Sequence, residues 1–144
     1  MFYGDIYGDT VATGSKSAAV PLSSGQMVKV YSQESPQVWF EDFGSAKLVG
    51  GVATVKLEAK FAQLVNTKKP YHVFITPNGD CHGLYVAQKG RNSFEVRELG
   101  GGNSNVEFDY RISALRKGYE TVRLEPAVMP KVSKPPVRPT ALKH

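Results

Sequence analysis

The chain has 144 residues, of which 41% are hydrophobic and 22% charged, so it is long enough to bury a core and has the composition of a globular protein. No segment approaches 18 consecutive apolar residues, which excludes a transmembrane helix, and no secretory signal is expected at the N-terminus. The net charge of +5 is concentrated in residues 126–144, which carry four basic residues and no acid, so no nucleic-acid-binding face is expected.

Three regions are predicted from changes in composition along the chain. Residues 1–15 mix Tyr and Gly with acidic residues, which indicates an irregular N-terminal segment. Residues 16–125 alternate short apolar segments with turn-forming residues and are predicted to form a β-rich domain. Residues 126–144 combine five prolines with the basic residues, which predicts a flexible tail.

The first half of the β-rich domain contains several predicted strands and one predicted helix. Residues 18–22 and 27–32 read as two strands around a polar turn, and 37–43 as a further extended segment. The pair Gly50-Gly51 predicts a tight hairpin turn between strands at 45–49 and 52–58. Phe61, Leu64 and Val65 follow helical spacing and predict one or two helical turns.

The second half is predicted to be entirely strands and turns. Segments 71–76 and 84–87 flank the turn residues 77–80 and read as a hairpin, followed by a strand at 93–98. Residues 106–114 alternate apolar with polar side chains, the clearest strand pattern in the chain, and a last strand is predicted at 119–124. The fold class is therefore all-β: a sandwich, a small barrel or a layered antiparallel fold with one short helix.

The segment from Trp39 to Gly44 concentrates aromatic residues beside two carboxylates and contains the only tryptophan. Trp39 and Phe43 share one face of a strand and Phe40 takes the other, so the strand has apolar groups on both sides. Such a strand belongs inside a layered fold or at a subunit contact. Trp39, Phe40 and Phe43 are therefore predicted to be structural anchors, and Trp39→Ala is expected to damage folding or assembly.

No pattern points to catalysis, a metal or another cofactor. Cys81 is the single cysteine, which excludes an intrachain disulfide and fits either assembly in a reducing cytoplasm or a fold that does not depend on disulfides. Its neighbour His82 would point to the opposite face of a strand. His72 and His82 lack further ligands at a recognisable spacing. Glu41, Asp42, Glu95 and Glu98 would serve a glycan hydrolase only if they faced one another. Tyr85 and Tyr110 are possible ligand contacts, because surface tyrosines can stack on sugars.

Blocks of aromatic, apolar and charged residues follow one another through residues 35–124, at 35–44, 51–57, 61–62, 71–77, 79–86, 94–99, 108–112 and 116–120. These blocks carry a resemblance to a module found at the C-terminal ends of phage tail-fibre-like proteins and bacterial surface proteins. It implies a β-rich terminal domain, assembly as a homotrimer, and no catalytic residues.

The leading hypothesis is a non-enzymatic structural and attachment domain of such a fibre. It would lie on the virion tail or the extracellular surface after assembly in the cytoplasm. Its expected partners are further copies of the chain, other fibre or tail proteins, and a cell-surface glycan. The alternative is a lectin-like carbohydrate-binding module that uses the surface tyrosines, and a glycan hydrolase is the third hypothesis.

Overall fold

A computed structural model describes residues 2–4, 10–12 and 15–126. Over these residues the protein is a layered all-β fold of two three-stranded sheets and two two-stranded ribbons, all antiparallel, with one short α-helix. No helix in this part of the chain is long and apolar enough to cross a bilayer. The elements are β1 (Phe2–Gly4), β2 (Thr10–Ala12), β3 (Ser17–Pro21), β4 (Met27–Tyr31), β5 (Trp39–Lys47), β6 (Val52–Lys56), α1 (Ala59–Leu64), β7 (His72–Pro77), β8 (Leu84–Lys89), β9 (Ser93–Glu98) and β10 (Glu107–Leu115).

The first sheet has the strand order β5-β10-β7, with β10 in the centre. All nine residues of β10 pair with β5, from Glu107 opposite Lys47 to Leu115 opposite Trp39. The predicted alternation of residues 106–114 is confirmed, because Phe108, Ile112 and Ala114 are buried while Glu107 and Asp109 are exposed. The alternation therefore gives this sheet a clear inner side and a clear outer side.

The second sheet has the order β6-β9-β8 and lies against the inner side of the first. Its central strand turns Phe94 and Val96 inward, and the ring of Phe94 meets Tyr110 of the first sheet edge-on at 5.3 Å between centroids. The helix α1 is confirmed near its predicted place, and Phe61 inserts into the same core. Its first turn is capped by the Glu58 carboxylate, which accepts a hydrogen bond from the Phe61 amide at 2.7 Å.

Two predicted hairpins are wrong in their pairing. Gly50 and Gly51 do form a tight turn with positive φ, bracketed by hydrogen bonds between Val49 and Val52, but β5 and β6 then enter different sheets. The nine-residue ladder between β5 and β10 offers far more hydrogen bonds than this turn. Likewise β7 pairs with β10 and β8 with β9, because the chain crosses between the layers after Pro77.

A separate strand at 45–49 is also wrong, since β5 runs through Gly44 to Lys47. A Cβ on residue 44 would clash with the hydroxyl oxygen and Cζ of Tyr110, so glycine lets the strand continue beneath that ring. The predicted strand at 119–124 is instead a series of turns, in which Tyr119 bonds back to Arg116 and Val122 to Tyr119. Only Arg123 makes a bridge there, with Gln37.

The two strands predicted around residues 23–26 are confirmed as the hairpin β3-β4. Within residues 1–15, β1 and β2 form a second short ribbon. The tail predicted at 126–144 lies outside the described residues, apart from Pro126.

Candidate functional site

The outer side of the first sheet carries a cluster of exposed aromatic side chains, here called the aromatic face. Phe43 of β5 and Phe74 of β7 are 66% and 56% exposed and lie opposite the same residue of the central strand, Arg111. Trp39 and His72 continue the cluster towards one end of the sheet, with 5.3 Å between their ring centroids. The aromatic face is defined by Trp39, Glu41, Phe43, His72, Phe74 and Arg111.

The Arg111 guanidinium lies between the two exposed phenyl rings. Its central carbon is 5.9 Å from the Phe43 centroid and 5.6 Å from the Phe74 centroid. Both distances fall within the range of cation–π attraction, which is worth about 0.5–1 kcal/mol at exposed sites. The arginine therefore holds two rings from the outer strands in one row across the sheet.

The same guanidinium is paired with the Glu41 carboxylate, which accepts a hydrogen bond from Nη2. Its Nε–H is shielded from solvent and has no hydrogen-bond partner within the described residues. An unpaired donor of this kind costs free energy unless an acceptor or a water reaches it. The row therefore combines exposed apolar surface with one unused polar group.

A groove of about 420 Å³ adjoins the Trp39 end of the aromatic face. One wall is the connector formed by residues 33–36, and the floor is formed by Trp39, Glu41, Arg111 and Ser113. The connector is fixed at Pro36, its C-terminal residue, because the Leu124 amide donates a hydrogen bond to the Pro36 carbonyl at 2.9 Å. The groove thus places one large ring beside several groups that can form hydrogen bonds.

The structure places the three predicted anchors in different surroundings. Phe40 faces inward, packs against the core and lies 5.5 Å from the Arg116 guanidinium. Trp39 is half-buried on the outer side, and Phe43 is largely exposed there. Both sides of β5 are therefore apolar, but only the side with Phe40 is covered by the described part of the chain.

The two tyrosines considered as ligand contacts lie on different surfaces. Tyr110 faces the core beside Phe94, and burial raises the pKa of its hydroxyl, with a smaller contribution from Asp42. Tyr85 is 42% exposed and lies opposite Arg97 in the second sheet. The structure does not bring these two side chains together.

The carboxylates considered for hydrolysis are also apart. Glu41 lies on the outer side of β5 and Asp42 on the inner side, while Glu95 and Glu98 occupy opposite sides of β9. Within the described residues no three His, Cys, Asp or Glu side chains are arranged to hold a metal ion. Cys81 lies in the turn before β8, where its sulfur accepts from the Gly83 amide at 3.4 Å.

Glu98 is the one charged side chain that is buried in the described part of the chain, at 5% exposure. Its two oxygens accept hydrogen bonds from the amides of His82 at 3.0 Å and Ser104 at 2.8 Å. These bonds hold the pKa of the carboxyl below its usual value of 4.5. Glu98 therefore fastens two loops to the second sheet.

The row formed by Phe43, Arg111 and Phe74 was not predicted from the sequence. The pattern of residues 71–76 is apolar on both sides, so the direction of Phe74 depends on which strand pairs with β7. Glu98 had a usable signal, since it shares strand parity with the inward Phe94 and Val96.

Comparisons with known proteins identify no relative of this chain. The chain matches no model of a protein family, and no curated protein or solved structure matches it.

Proposed function

We propose that this chain is a non-enzymatic structural and attachment domain of a phage tail fibre or bacterial surface fibre, and that it assembles as a homotrimer. Its place would be the virion tail or the extracellular surface, where it would contact other fibre proteins and a cell-surface receptor. The resemblance of residues 35–124 to modules of such fibres motivates the setting and the number of copies. The aromatic face provides the physical support for self-association.

The observation that carries the proposal is the exposure of Phe43 and Phe74 on the outer side of a regular sheet. A large aromatic side chain buries roughly 150–250 Å² when it is fully covered. At about 25 cal/mol per Å², covering the exposed part of each ring would contribute roughly 2–4 kcal/mol. Contiguous apolar surface of this kind marks contact sites on folded proteins.

The experiment is light scattering of the purified chain at micromolar concentration, with and without the double substitution Phe43→Ser and Phe74→Ser. We expect a trimer for the parent chain and a folded monomer for the variant, because the exposed rings supply apolar contact area between copies. A parent chain that is monomeric at this concentration would contradict the proposal.

The matched control is Tyr85→Ser, which removes an exposed aromatic ring from the outer side of the second sheet. This variant should assemble like the parent chain. Circular dichroism of all three proteins establishes that each is folded. If Tyr85→Ser and the double variant dissociate equally, the dissociation results from a general loss of apolar surface and not from loss of the aromatic face.

A second candidate function is carbohydrate binding, supported by the groove beside Trp39. A pyranose ring stacks well on an aromatic side chain while polar neighbours bond its hydroxyls, and Glu41, Arg111 and Ser113 line the groove beside Trp39. The test is a glycan array probed with the parent chain, Trp39→Leu and Tyr85→Ala. Binding that is lost only with Trp39→Leu, in protein that still assembles, would support the groove. Loss only with Tyr85→Ala would support a tyrosine-based site on the second sheet.

A further inference from the structure

The bend between β7 and β8 contains the exposed pair Asn78-Gly79. The strand β7 ends at Pro77, and residues 78–83 carry the chain from the first sheet to the second. The Asn78 backbone amide donates to the Glu107 carbonyl at 2.7 Å, which fixes the start of the bend to β10. The Gly79 amide donates no backbone hydrogen bond within the described part of the chain. The bend therefore places an uncommitted backbone nitrogen directly after an exposed asparagine side chain.

This pair has the composition that favours attack of a backbone nitrogen on a side-chain amide. Asparagine is a thermolabile residue, because the nitrogen of the following residue can reach its side-chain carbonyl carbon. A side chain on the following residue hinders that approach, and glycine has none. Attack by the Gly79 nitrogen forms a bond to Cγ of Asn78 and breaks the Cγ–Nδ2 bond, and ammonia leaves with the amide proton. Water then opens the cyclic imide at either carbonyl, which gives aspartate or isoaspartate without oxidation or reduction.

The chain has four other asparagines, and each is followed by a residue that carries a side chain: Asn66, Asn92, Asn103 and Asn105. Both polar atoms of the Asn66 side chain are occupied, since Nδ2 donates to Glu120 at 2.6 Å and Oδ1 accepts from the Lys68 amide at 3.0 Å. The Asn105 side chain is also held, because its Oδ1 accepts from the Gly50 amide at 2.9 Å. These contacts restrain the side chains that the reaction requires to turn towards the backbone.

Asn103 is the most informative contrast, because it is exposed and lies in a loop, as Asn78 does. The amide that follows it, on Ser104, donates to the buried Glu98 carboxylate at 2.8 Å. The attacking nitrogen is therefore committed to a charged acceptor after Asn103, whereas the nitrogen after Asn78 is not. Asn92 is a second exposed comparison, again followed by a serine.

The side chain of Asn78 lies beside Asp109 of β10. The pKa of the Asp109 carboxyl is lowered by a hydrogen bond from Ser45 and, to a smaller extent, by one from the Asn78 side chain. The neighbouring Glu107 is paired with Lys47 at 3.8 Å, whereas Asp109 forms no salt bridge within the described residues. A carboxylate at residue 78 would therefore replace a hydrogen-bond donor with a second negative charge beside Asp109.

We propose that Asn78 deamidates spontaneously in the folded protein, and that the resulting carboxylate repels Asp109 at the point where β7 leaves the first sheet. Isoaspartate also routes the backbone through the side-chain carbons, which lengthens the chain between the anchored amide of residue 78 and Gly79. Both products weaken the contact between β7 and β10 at this end of the sheet. The inference does not depend on the proposed function.

The experiment is incubation of the full, folded chain at neutral pH and body temperature, followed by peptide mapping with mass spectrometry at successive times. Conversion of an amide to an acid changes the mass of the fragment, so the rate at each asparagine is measured separately. We expect Asn78 to convert first. Conversion of Asn78 that is no faster than that of Asn92 and Asn103 would overturn the proposal.

The matched control is the same chain in concentrated urea, which removes the hydrogen bonds and leaves the sequence unchanged. The ratio of the Asn78 rate to the Asn103 rate should fall by about 10–100-fold on unfolding, because the Ser104 amide no longer has to leave a charged acceptor. A ratio that is unchanged or larger in urea would show that the fold does not select Asn78, and would overturn the structural basis of the proposal.

The variant Asn78→Asp supplies the product directly, and Asn92→Asp adds the same charge to the turn between β8 and β9. In urea denaturation, at a protein concentration where light scattering finds monomers, Asn78→Asp should raise the equilibrium constant for unfolding about fivefold, as for two neighbouring like charges in water. The increase should shrink at high salt, which screens exposed charges. Equal effects of Asn78→Asp and Asn92→Asp would overturn the predicted repulsion of Asp109.

Discussion

In a half-buried sheet, apolar side chains face the core and charged side chains face water. The outer side of the first sheet and the inner side of the second sheet depart from this pattern in opposite ways. The first sheet exposes Phe43 and Phe74, whereas the second sheet buries the carboxylate of Glu98. The buried carboxylate is satisfied within the chain by the amides of His82 and Ser104. The exposed rings flank the Arg111 guanidinium that lies between them, and they stay more than half exposed.

This difference suits a structural role for the buried Glu98 and a contact role for the exposed Phe43 and Phe74. A buried charge that receives two backbone hydrogen bonds needs nothing from outside the chain, so Glu98 is explained by the loops it holds. Exposed rings on a regular sheet gain free energy only when another surface covers them. The outer side of the second sheet mixes the polar Thr54, Lys56 and Arg97 with the smaller exposed apolar surface of Val52 and Tyr85, so covering it would contribute less.

The largest expected effect comes from comparing the two sides of the first sheet. Phe108, the second residue of β10, is fully buried, and Phe108→Ala should lower the free energy of unfolding by about 3–5 kcal/mol through the cavity it leaves. Phe43→Ala on the outer side should change the stability of the dissociated chain by only about 1 kcal/mol or less. Urea denaturation of each variant, at a protein concentration where light scattering finds monomers, measures both values. Similar losses at the two positions would mean that the outer side is already packed in the single chain.

The second prediction concerns the turn that carries the chain from one sheet to the other. A Cβ at residue 51 would collide with the carbonyl oxygen of Gly102 and lie 2.9 Å from its carbon, and φ there is +81°. Gly51→Ala should therefore cost roughly 3 kcal/mol, measured by urea denaturation, because both backbone strain and a backbone clash oppose it.

Gly50→Ala is the matched control for that turn. Residue 50 also has positive φ, at +59°, but an added Cβ meets nothing within 4 Å. Its cost should be about 1–2 kcal/mol, from the left-handed conformation alone. Equal effects at the two positions would show that the loop at Gly102 moves away without cost.

The elements that sequence could predict are those whose signal is local. The helical spacing at Phe61, the alternation along β10 and the glycine turn at 50–51 each depend on neighbouring residues, and each is present in the structure. These signals were sufficient for the all-β fold class. Such local patterns indicate which side of its element a residue shares with its neighbours in sequence.

Strand partners could not be predicted in the same way, because pairing is a competition between distant segments. The turn at 50–51 favours a hairpin, but β5 gains nine register pairs with β10, which begins about 60 residues later. The aromatic face depended on that outcome. Phe43 and Phe74 meet around Arg111 only because β5 and β7 both flank β10.

A smaller effect is expected from the buried carboxylate, and it depends on pH. The pKa of Glu98 in the folded chain is lowered chiefly by the His82 and Ser104 amides, so its stabilising contribution is complete above the usual value of 4.5. That contribution is lost as the pH falls below 4.5 and through the lower folded pKa, because the unfolded chain then binds the proton more readily. Glu98→Gln should be less stable than the parent at pH 7, and the difference should shrink near pH 3.

Urea denaturation at the two pH values measures this convergence. Other carboxyls with a lowered pKa, including Glu58 and Glu120, destabilise parent and variant alike at low pH and cancel in the comparison. A constant difference between parent and Glu98→Gln at both pH values would assign the effect to packing of the amide rather than to ionisation. Such a result would mean that the charge of Glu98 does not contribute to holding the two loops on the second sheet.

The smallest effect compares one ion pair on each outer side. Glu41 pairs with Arg111 within the aromatic face, and Glu95 pairs with Arg97 on the second sheet at 2.7 Å. If copies cover the aromatic face, Glu41→Gln leaves Arg111 without its carboxylate in a desolvated contact. The concentration at half-dissociation should then rise about tenfold. The midpoint of a monomer–trimer equilibrium varies as the square root of its dissociation constant, so this rise corresponds to ~2.8 kcal/mol per trimer. Glu95→Gln should leave it unchanged, because an exposed pair contributes little. Light scattering across a dilution series measures both midpoints, and equal shifts would show that the two outer sides are equally exposed in the assembly.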